Sequence, residues 1–508
     1  MAAILRYPGV YIQEQNSLLH SISDLPTAVP AFIGYTEKAS INEESVLNIP
    51  TKIRSFAEYV SVFGVGFNSK FDILDPLPNG SGIPIKVKSG KKVVDYVPNH
   101  KAYMFPSIKL FYDNGGKDCY IVSVGTYGDT SSVTADADDL LGTKIVNGNI
   151  LEGGLNALKN YIEPTIIVIP DAVNLPSVQC YQVYQEMLSH CFEMGNRFAV
   201  LDIHNGFQKQ IVGQATTDVI THFRGQIGTQ NLKFGAVYYP WLEANIDRSD
   251  PTFLDINLQL DELKQLLPEN RANDIIDEHL KINDITADIK HNLHIALLSV
   301  CLTYKSIIKA VKVLKNRIPP CGAIAGIYVA TDNNKGIWKA PAGVSVNSVI
   351  KPTVQLSRVE QELLNVDAVS GKSINAINYY TGRGTLVWGA RTLAGNSNEY
   401  RYVSVHRTIL HVKKSIKTGL KPFVFEPNDT TTWGAVKNMI SNYLKALWRD
   451  GAFVGSQPEK AYFVQVGLGQ TMTARDILEG KMIILVGVSI IRPAEFIIFR
   501  IEQDMEES

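Results

Sequence analysis

The 508-residue sequence lacks several features that would assign it to a specialised class of protein. Its five cysteines are odd in number, scattered, and include no C-x-x-C pair, which argues against a disulfide framework or a cysteine zinc site. Such thiols are typical of a reducing compartment. No apolar run approaches the ~20 residues of a membrane-spanning helix, so membrane insertion is not expected. Residues 1–6 show no basic segment leading into an apolar one, so no secretory signal is predicted.

An excess of charge of one sign is also missing. With 49 basic and 50 acidic residues the formal net charge is −1, which gives the whole protein no attraction to nucleic acid or to an anionic membrane. Near-neutrality also leaves little repulsion between copies and permits dense self-assembly. An apolar content of 45% is ordinary for a globular protein, and the length suffices for about two to four domains.

Patterns for catalysis and for metal or cofactor binding are incomplete. Residues 370–373 (SGKS) lack the first glycine of a P-loop, which would fall at Val366. His291 and His294 share a predicted helix, but no cysteine or carboxylate cluster completes a metal site. Residues 331–336 have the composition of a calcium loop without its closing glutamate and predict a turn. We therefore predict no cofactor and no metal.

The middle of the chain predicts an α/β layer. Short β-branched or aromatic runs at residues 164–171, 197–202 and 234–241 are separated by helical patterns, which favours parallel strands. Asp171 and Asp202 each end such a run, where a doubly wound fold would place a ligand site. Two interpretations are open: the carboxylates cap the following helix or turn, or they serve a soluble α/β enzyme.

Two segments predict surface features beside this layer. Residues 83–97 predict a hairpin around Gly90 within a turn-rich insertion at 66–105, and residues 246–290 are charged and turn-prone. Residues 292–315 predict one long helix with a basic stripe that is either a solvated face or a binding surface. The stripe consists of Lys305, Lys309, Lys312 and Lys315.

The end of the sequence predicts two strands. Residues 482–491 are ten uncharged residues rich in Ile and Val, which predicts a strand buried on both faces. Arg492 and Pro493 interrupt it, and a second β-prone run covers residues 494–502. A hydrophobic strand at a chain end is either an internal edge strand or one that adds to the sheet of another copy.

Several motifs together resemble the tail sheath family of contractile phage tails and related injection systems. They are YPGVYIQE at 7–14, TAVPAFIG at 27–34, IKLFYDNGG at 108–116, PPCGAIAGIYVATD at 319–332, KGIWKAPAG at 335–343, GTLVWGART at 384–392 and PAEFI at 493–497. Cys321 stands where serine is usual in the family, an exchange with no expected functional effect.

This resemblance implies a multidomain α/β and α+β fold and a structural role rather than an enzymatic one. It implies an N-terminal arm at residues 1–30 and outer α/β domains at 31–343, which carry the insertion at 66–105 and the charged segment at 246–290. An α+β sheath core at 344–508 would be completed by the N-terminal arm.

The resemblance also implies that subunits exchange strands, polymerise around an inner tube in an extended state and contract to drive the tube through a target envelope. Head-to-tail contacts of this kind generate an open helix. Implied partners are copies of the chain, the inner tube, baseplate and terminal cap proteins, and sheath paralogues. The particle would be made in the bacterial cytoplasm, and action outside the cell is compatible with the resemblance. The implied exchange residues are Val10, Tyr11, Ile12, Phe496, Ile497, Ile498, Phe499 and Ile501.

A basic helix at residues 402–420 is the implied contact with the inner tube. It carries no acidic residue, and exposed ion pairs are individually weak, at ~0 to 1 kcal/mol, so they can be broken in sequence during release. A solvated face or a contact between sheath subunits is the alternative. The predicted contact residues are Arg407, Lys413, Lys414 and Lys417.

Overall fold

The structure, a computed structural model, describes residues 22, 25–76, 80–128, 130, 132–146, 149–150, 152–211, 218–246, 250–282 and 286–495. The chain divides into two compact units. The large unit comprises Pro26–His411 and Arg492–Ser508, and the small unit comprises Met1–Leu25 and Val412–Ile491.

Twenty-one strands and sixteen α-helices are described. The strands are β1 Pro30–Thr36, β2 Ser40–Ile41, β3 Glu44–Ser45, β4 Thr51–Ile53, β5 Phe71–Leu74, β6 Ile83–Val87, β7 Gly90–Tyr96, β8 Cys119–Thr126, β9 Ile145–Val146, β10 Asn149–Ile150, β11 Ile166–Val168, β12 Phe198–Asp202, β13 Gly235–Tyr239, β14 Leu242–Ala244, β15 Arg317–Ile318, β16 Val344–Ser345, β17 Val349–Pro352, β18 Asn375–Tyr380, β19 Gly384–Val387, β20 Tyr462–Val466 and β21 Ile484–Val488. The helices are α1 Phe56–Phe63, α2 Met104–Asp113, α3 Ala137–Leu141, α4 Gly154–Ala157, α5 Ser177–Met194, α6 Val219–Gln226, α7 Leu260–Leu266, α8 Asn270–Leu280, α9 Ala287–Val300, α10 Leu302–Lys315, α11 Cys321–Lys335, α12 Arg358–Asn365, α13 Val403–Gly419, α14 Thr430–Arg449, α15 Pro458–Ala461 and α16 Ala474–Leu478. None of these described helices has both the length and the apolar character needed to cross a bilayer.

A nine-stranded sheet forms the centre of the large unit, in the order β16-β19-β18-β13-β12-β11-β1-β8-β4. The six strands from β18 to β8 run parallel, and the strands at the two ends are antiparallel. Ile166 of β11 lies opposite Pro30 of β1 on one side and Phe198 of β12 on the other. The predicted mixed α/β fold is therefore confirmed.

Both faces of this sheet are covered by helices, which explains why its central strands are apolar throughout rather than alternating. Every residue of β1, β11, β12 and β13 is buried. Helix α5 contributes Tyr184 and Met187 to the core on one face. Helices α2 and α11 contribute Phe111, Ile324 and Tyr328 to the core on the other.

The domain boundary expected after residue 343 does not coincide with a division of the chain. Val344 of β16 pairs with Val387 of β19, and β19 pairs with β18. Strand β18 in turn pairs with β13. Residues 344–411 thus complete the same sheet that residues 30–239 begin, and the compact units divide at His411 and Val412, inside α13.

The insertion at 66–105 contains the predicted hairpin, β6 and β7, joined by β5 in a three-stranded antiparallel sheet. Its apolar side chains share a core with α8, α9 and α10. The single long helix predicted at 292–315 is wrong, because Cys301 ends α9 and caps α10 by accepting a hydrogen bond from the Tyr304 N–H at 3.2 Å. The turn predicted at 331–336 is also wrong, because α11 continues to Lys335 and ends at Gly336.

Two glycines let α2 and α11 pack closely. A Cβ at Gly322 would lie 2.2 Å from the Ser107 carbonyl oxygen, and one at Gly326 would lie 2.4 Å from that of Phe111. Since both opposing atoms belong to the backbone, no side-chain rotation could relieve either clash. The separation of the two helices therefore depends on these glycines.

We predict that Gly326→Ala destabilises the large unit by about 1–3 kcal/mol, the usual penalty for overpacking. Gly225→Ala is the matched control, since Gly225 lies in α6 of the same unit and a Cβ there would meet nothing within 4 Å. That change should stabilise by up to ~1 kcal/mol through helix propensity. Urea unfolding of the two variants measures their stabilities. Equal midpoints would show that α2 and α11 can move apart without loss of stability.

Candidate functional site

The small unit contains a two-stranded antiparallel sheet, β20 and β21, in which Val464 lies opposite Val486. One face packs on α14, where Val466, Trp433 and Met472 form a small buried cluster. On the other face Phe463 is 48% exposed and Leu485 50% exposed. The strand predicted at residues 482–491 therefore exists as β21, but the expectation that both its faces are buried is wrong within the described chain.

In the part of the chain that the structure describes, both outer edges of this sheet carry backbone groups without a strand partner. Among the described residues, β20 and β21 pair only with each other. The Ser489 N–H donates to the Ala461 carbonyl in the same register. Since opposed pairs alternate between bonded and non-bonded, every second residue of each strand directs its N–H and C=O away from the partner strand. These residues are Val464 and Val466 in β20 and Ile484, Val486 and Val488 in β21. Tyr462 of β20 has the same orientation, but its N–H donates to the Pro458 carbonyl at the end of α15.

The residues predicted to exchange between subunits lie outside the described part of the chain. They are Val10, Tyr11, Ile12, Phe496, Ile497, Ile498, Phe499 and Ile501. Glu495, the residue just before the C-terminal group of predicted exchange residues, lies within the described part of the chain, and its side chain is hydrogen-bonded. The Glu495 carboxylate accepts hydrogen bonds from the Arg391 Nε at 2.9 Å and from the Tyr402 hydroxyl at 3.2 Å.

The predicted tube-contact residues separate into two groups along α13. Lys413 and Lys417 are exposed and Lys414 is partly exposed. Arg407 is buried in the large unit, where its guanidinium donates to both carboxylate oxygens of Asp332 at 3.0 and 2.7 Å. It also donates to the Thr27 carbonyl at 3.2 Å. Arg407 is therefore removed from the predicted contact surface, because its charge is used inside the subunit.

Asp171 and Asp202 are fully buried acceptors of backbone hydrogen bonds. Asp171 accepts from the Tyr35 N–H at 2.9 Å and from the Tyr103 N–H at 2.6 Å. Asp202 accepts from the Cys321 N–H at 2.9 Å, at the start of α11. Burial raises the pKa of Asp171 to about 6 and that of Asp202 to about 7.

These contacts give both carboxylates a structural role that differs from the predicted capping of the next helix or turn. Asp171 ties the end of β1 to the start of α2, and Asp202 caps a helix 119 residues further along the chain. All five cysteines are buried and free, as expected. The described residues contain no group of His, Cys, Asp and Glu that could hold a metal ion. His294 instead shares a hydrogen bond with the Tyr304 hydroxyl at 2.8 Å.

Comparison with known sequences relates the C-terminal region to tail sheath proteins. A family model described as the phage tail sheath C-terminal domain matches residues 396–504. The tail sheath protein of Vibrio phage KVP40 is 30% identical over 134 residues, and that of Enterobacteria phage T4 is 25% identical over 131. These matches cover 26% and 25% of this chain, and about a fifth (19%) of the length of each of these curated relatives.

Solved structures extend the similarity to nearly the whole chain. The sheath complex of an extracellular contractile injection system, PVC, in the contracted state is 26% identical, with 99% of each chain covered and a TM-score of 0.60. The helical sheath of the anti-feeding prophage in the contracted state is 28% identical, with 99% of this chain and 100% of the other covered and a TM-score of 0.59. The chain is similar to contractile sheath subunits along nearly its whole length.

The similarity to tail sheath proteins bears on the two interpretations of Asp171 and Asp202. The relatives are structural tail sheath proteins and not enzymes. This similarity favours a structural role over the alternative of a soluble α/β enzyme, and the hydrogen bonds of both carboxylates agree with a bracing role inside the large unit. The sequence shows two acids at strand ends but gives no signal for their partners, because those partners lie far away along the chain.

We predict that Arg407→Ala destabilises the large unit by about 3–5 kcal/mol, because it leaves Asp332 buried without a countercharge. The double variant Arg407→Met/Asp332→Leu should recover most of this loss, since it removes both buried charges. Lys413→Ala, an exposed change on the same helix, should alter stability by less than about 0.5 kcal/mol. Denaturant unfolding measures all three. A wild-type midpoint for Arg407→Ala would return Arg407 to the candidates for an external contact.

Proposed function

We propose that this chain is the structural subunit of a helical contractile sheath. The sheath polymerises around an inner tube in an extended state and contracts to drive the tube through a target envelope. The single observation that carries this proposal is the match of 99% of the chain to sheath subunits solved in the contracted state. The anti-feeding prophage baseplate, 28% identical with a TM-score of 0.57, supports a baseplate partner as well.

The small unit is the proposed core of sheath assembly, together with the N-terminal arm. We assign the core to residues 412–491 instead of the whole of 344–508, because the compact units divide between His411 and Val412. Ile22, a described residue of the arm, lies against the end of α13: a Cβ at Gly419 would be 2.6 Å from its side chain. The large unit then takes the place of the outer α/β domains.

The open edges of β20 and β21 are the proposed acceptors for strands of neighbouring subunits. A two-stranded sheet is marginally stable alone, and added strands would satisfy its outward N–H and C=O groups. Residues 10–14 and 496–501 are the predicted donor strands. Because each subunit would both give and receive strands in one direction, the contacts produce an open helix.

The remaining partners and the location follow from the same proposal. They are the inner tube, the terminal cap and any sheath paralogues in the same particle. Subunits would be synthesised and assembled in the bacterial cytoplasm, and the finished phage-tail-like particle would act outside the cell. The PVC relative is a component of an extracellular system, which supports this location.

Deletion of residues 1–15 should abolish long hollow cylinders, because it removes one donor strand while leaving the described core intact. Deletion of residues 496–508 should have the same effect from the other end of the chain. Val369→Ser is the control, since Val369 is 97% exposed in the large unit and outside the proposed exchange region. Negative-stain microscopy of the purified proteins, with and without the tube protein, gives the readout. Full-length cylinders from both deletions would reject strand exchange.

The exposed lysines of α13 are the proposed contact with acidic residues on the inner tube. Lys413→Glu/Lys417→Glu should detach the tube from the sheath at salt concentrations where the wild-type complex survives, and Lys413→Arg/Lys417→Arg should retain it. Lys305→Glu/Lys309→Glu on α10 is the control, because it makes the same charge change on another exposed helix. Co-sedimentation across a salt series measures attachment. Attachment that is insensitive to both salt and charge reversal would assign α13 to another contact.

A further inference from the structure

A cavity of about 260 Å³ in the large unit is lined by two cationic side chains, Lys101 and Arg317. The proposed sheath function does not use either of them. The cavity walls come from β7, from the segment before α2, from the residues after β12 and from β15. Asn205 and Phe207 follow the carboxyl end of β12, so the cavity lies at the edge of the parallel sheet where α/β folds place their ligands. Tyr103 and Lys101 complete the part of the wall nearest to α2.

Aromatic rings hold both cations in the cavity wall. The Lys101 amino group lies 4.9 Å from the centroid of the Tyr96 ring, and the Arg317 guanidinium carbon lies 4.3 Å from that of Phe207. Arg317 also donates to the Ser81 carbonyl at 3.3 Å. No carboxylate of the described residues lies within 4 Å of either cationic group, a distance at which the other ion pairs of this unit form.

Asp95 is the single acidic residue among the described residues of this wall, and its oxygens already accept hydrogen bonds. One oxygen accepts from the Ser81 hydroxyl at 2.5 Å and the other from the Tyr96 N–H at 2.8 Å. The wall therefore has two cationic side chains, Lys101 and Arg317, and one carboxylate that is already hydrogen-bonded. Burial lowers the pKa of Lys101 and that of Arg317, since each charge has lost water without gaining an ion pair.

We propose that this cavity is a binding site for a small oxyanion, with a phosphoryl or carboxylate group held between Lys101 and Arg317. An arginine supplies two parallel N–H donors and a lysine a mobile point charge, a combination suited to such groups. The cavity adjoins a second one of about 330 Å³ that shares Tyr96, Lys101 and Tyr103 with it. The two volumes together accommodate a ligand larger than the anionic group alone, with its remaining atoms against the tyrosine rings.

The experiment uses the full-length chain and three probes at matched ionic strength: inorganic phosphate, pyrophosphate and citrate, each against sodium chloride. Thermal unfolding and isothermal titration calorimetry should show saturable binding of at least one probe by the wild-type protein, with a midpoint that rises with ligand concentration. Phosphate and pyrophosphate binding without citrate binding identifies a phosphoryl ligand, and the reverse identifies a carboxylate ligand.

Two variants and a control locate the site. Lys101→Met and Arg317→Met should each weaken binding at least tenfold, and Lys305→Met, at an exposed lysine of the same unit, should leave it unchanged. Without ligand, Lys101→Met should unfold at the same temperature as the wild type or higher, because it removes a partly buried charge that has no ion pair. If Arg317→Met does not fold, the comparison of probe binding between Lys101→Met and the wild type decides whether the cavity is the binding site. A wild-type response that does not saturate, or equal binding by Lys101→Met, would overturn the proposal.

Discussion

Backbone N–H and C=O groups at the edges of β-sheets need partners, and this constraint separates the two units of the chain. In the large unit a nine-stranded sheet pairs its six parallel strands internally and ends in short antiparallel strands. Helices cover both its faces. In the small unit two strands have a helix on one face, and among the described residues neither strand has a second neighbour. Seven of the nine strands in the large sheet thus have a neighbour on both sides, whereas within the described residues both strands of the small sheet have a neighbour on one side only.

Buried charges connect parts of the large unit that are distant in sequence. Arg407 meets Asp332 across 75 positions, Asp202 meets the Cys321 amide across 119, and Asp171 reaches the Tyr35 amide across 136. Removing one member of such a pair leaves the other buried without a partner. The free energy of folding then loses more than it would if the remaining group were exposed to water. These contacts make the sheet, α2 and α11 mutually dependent in position.

The sequence predicted the regular elements of this fold better than its long-range contacts. Apolar runs such as residues 197–202 and the turn chemistry around Gly90 predicted strands and a hairpin, because local composition controls both. The break at Cys301 was missed, since a cysteine cap gives no pattern that interrupts helical periodicity. The role of Arg407 was assigned wrongly because its partner, Asp332, stands in a segment that predicted a turn. The exposure of β21 was also missed because it depends on contacts that are distant in sequence. The composition of an apolar strand does not show whether both of its faces are covered within the same chain.

The contact between Arg391 and Glu495 has a mechanical consequence. Glu495 is the last described residue before the C-terminal end, and Arg391 grips its carboxylate while the Arg391 backbone N–H bonds to Asn375 of β18 at 2.8 Å. A force applied to the chain beyond residue 495 would be transmitted from Glu495 through the Arg391 guanidinium to the nine-stranded sheet. It would not act first on the pairing of β21 with β20. With residues 496–501 paired to a neighbouring subunit as proposed, tension would reach the nine-stranded sheet in the subunit that donates the segment, whereas in the subunit that receives it the load would fall on β20 and β21.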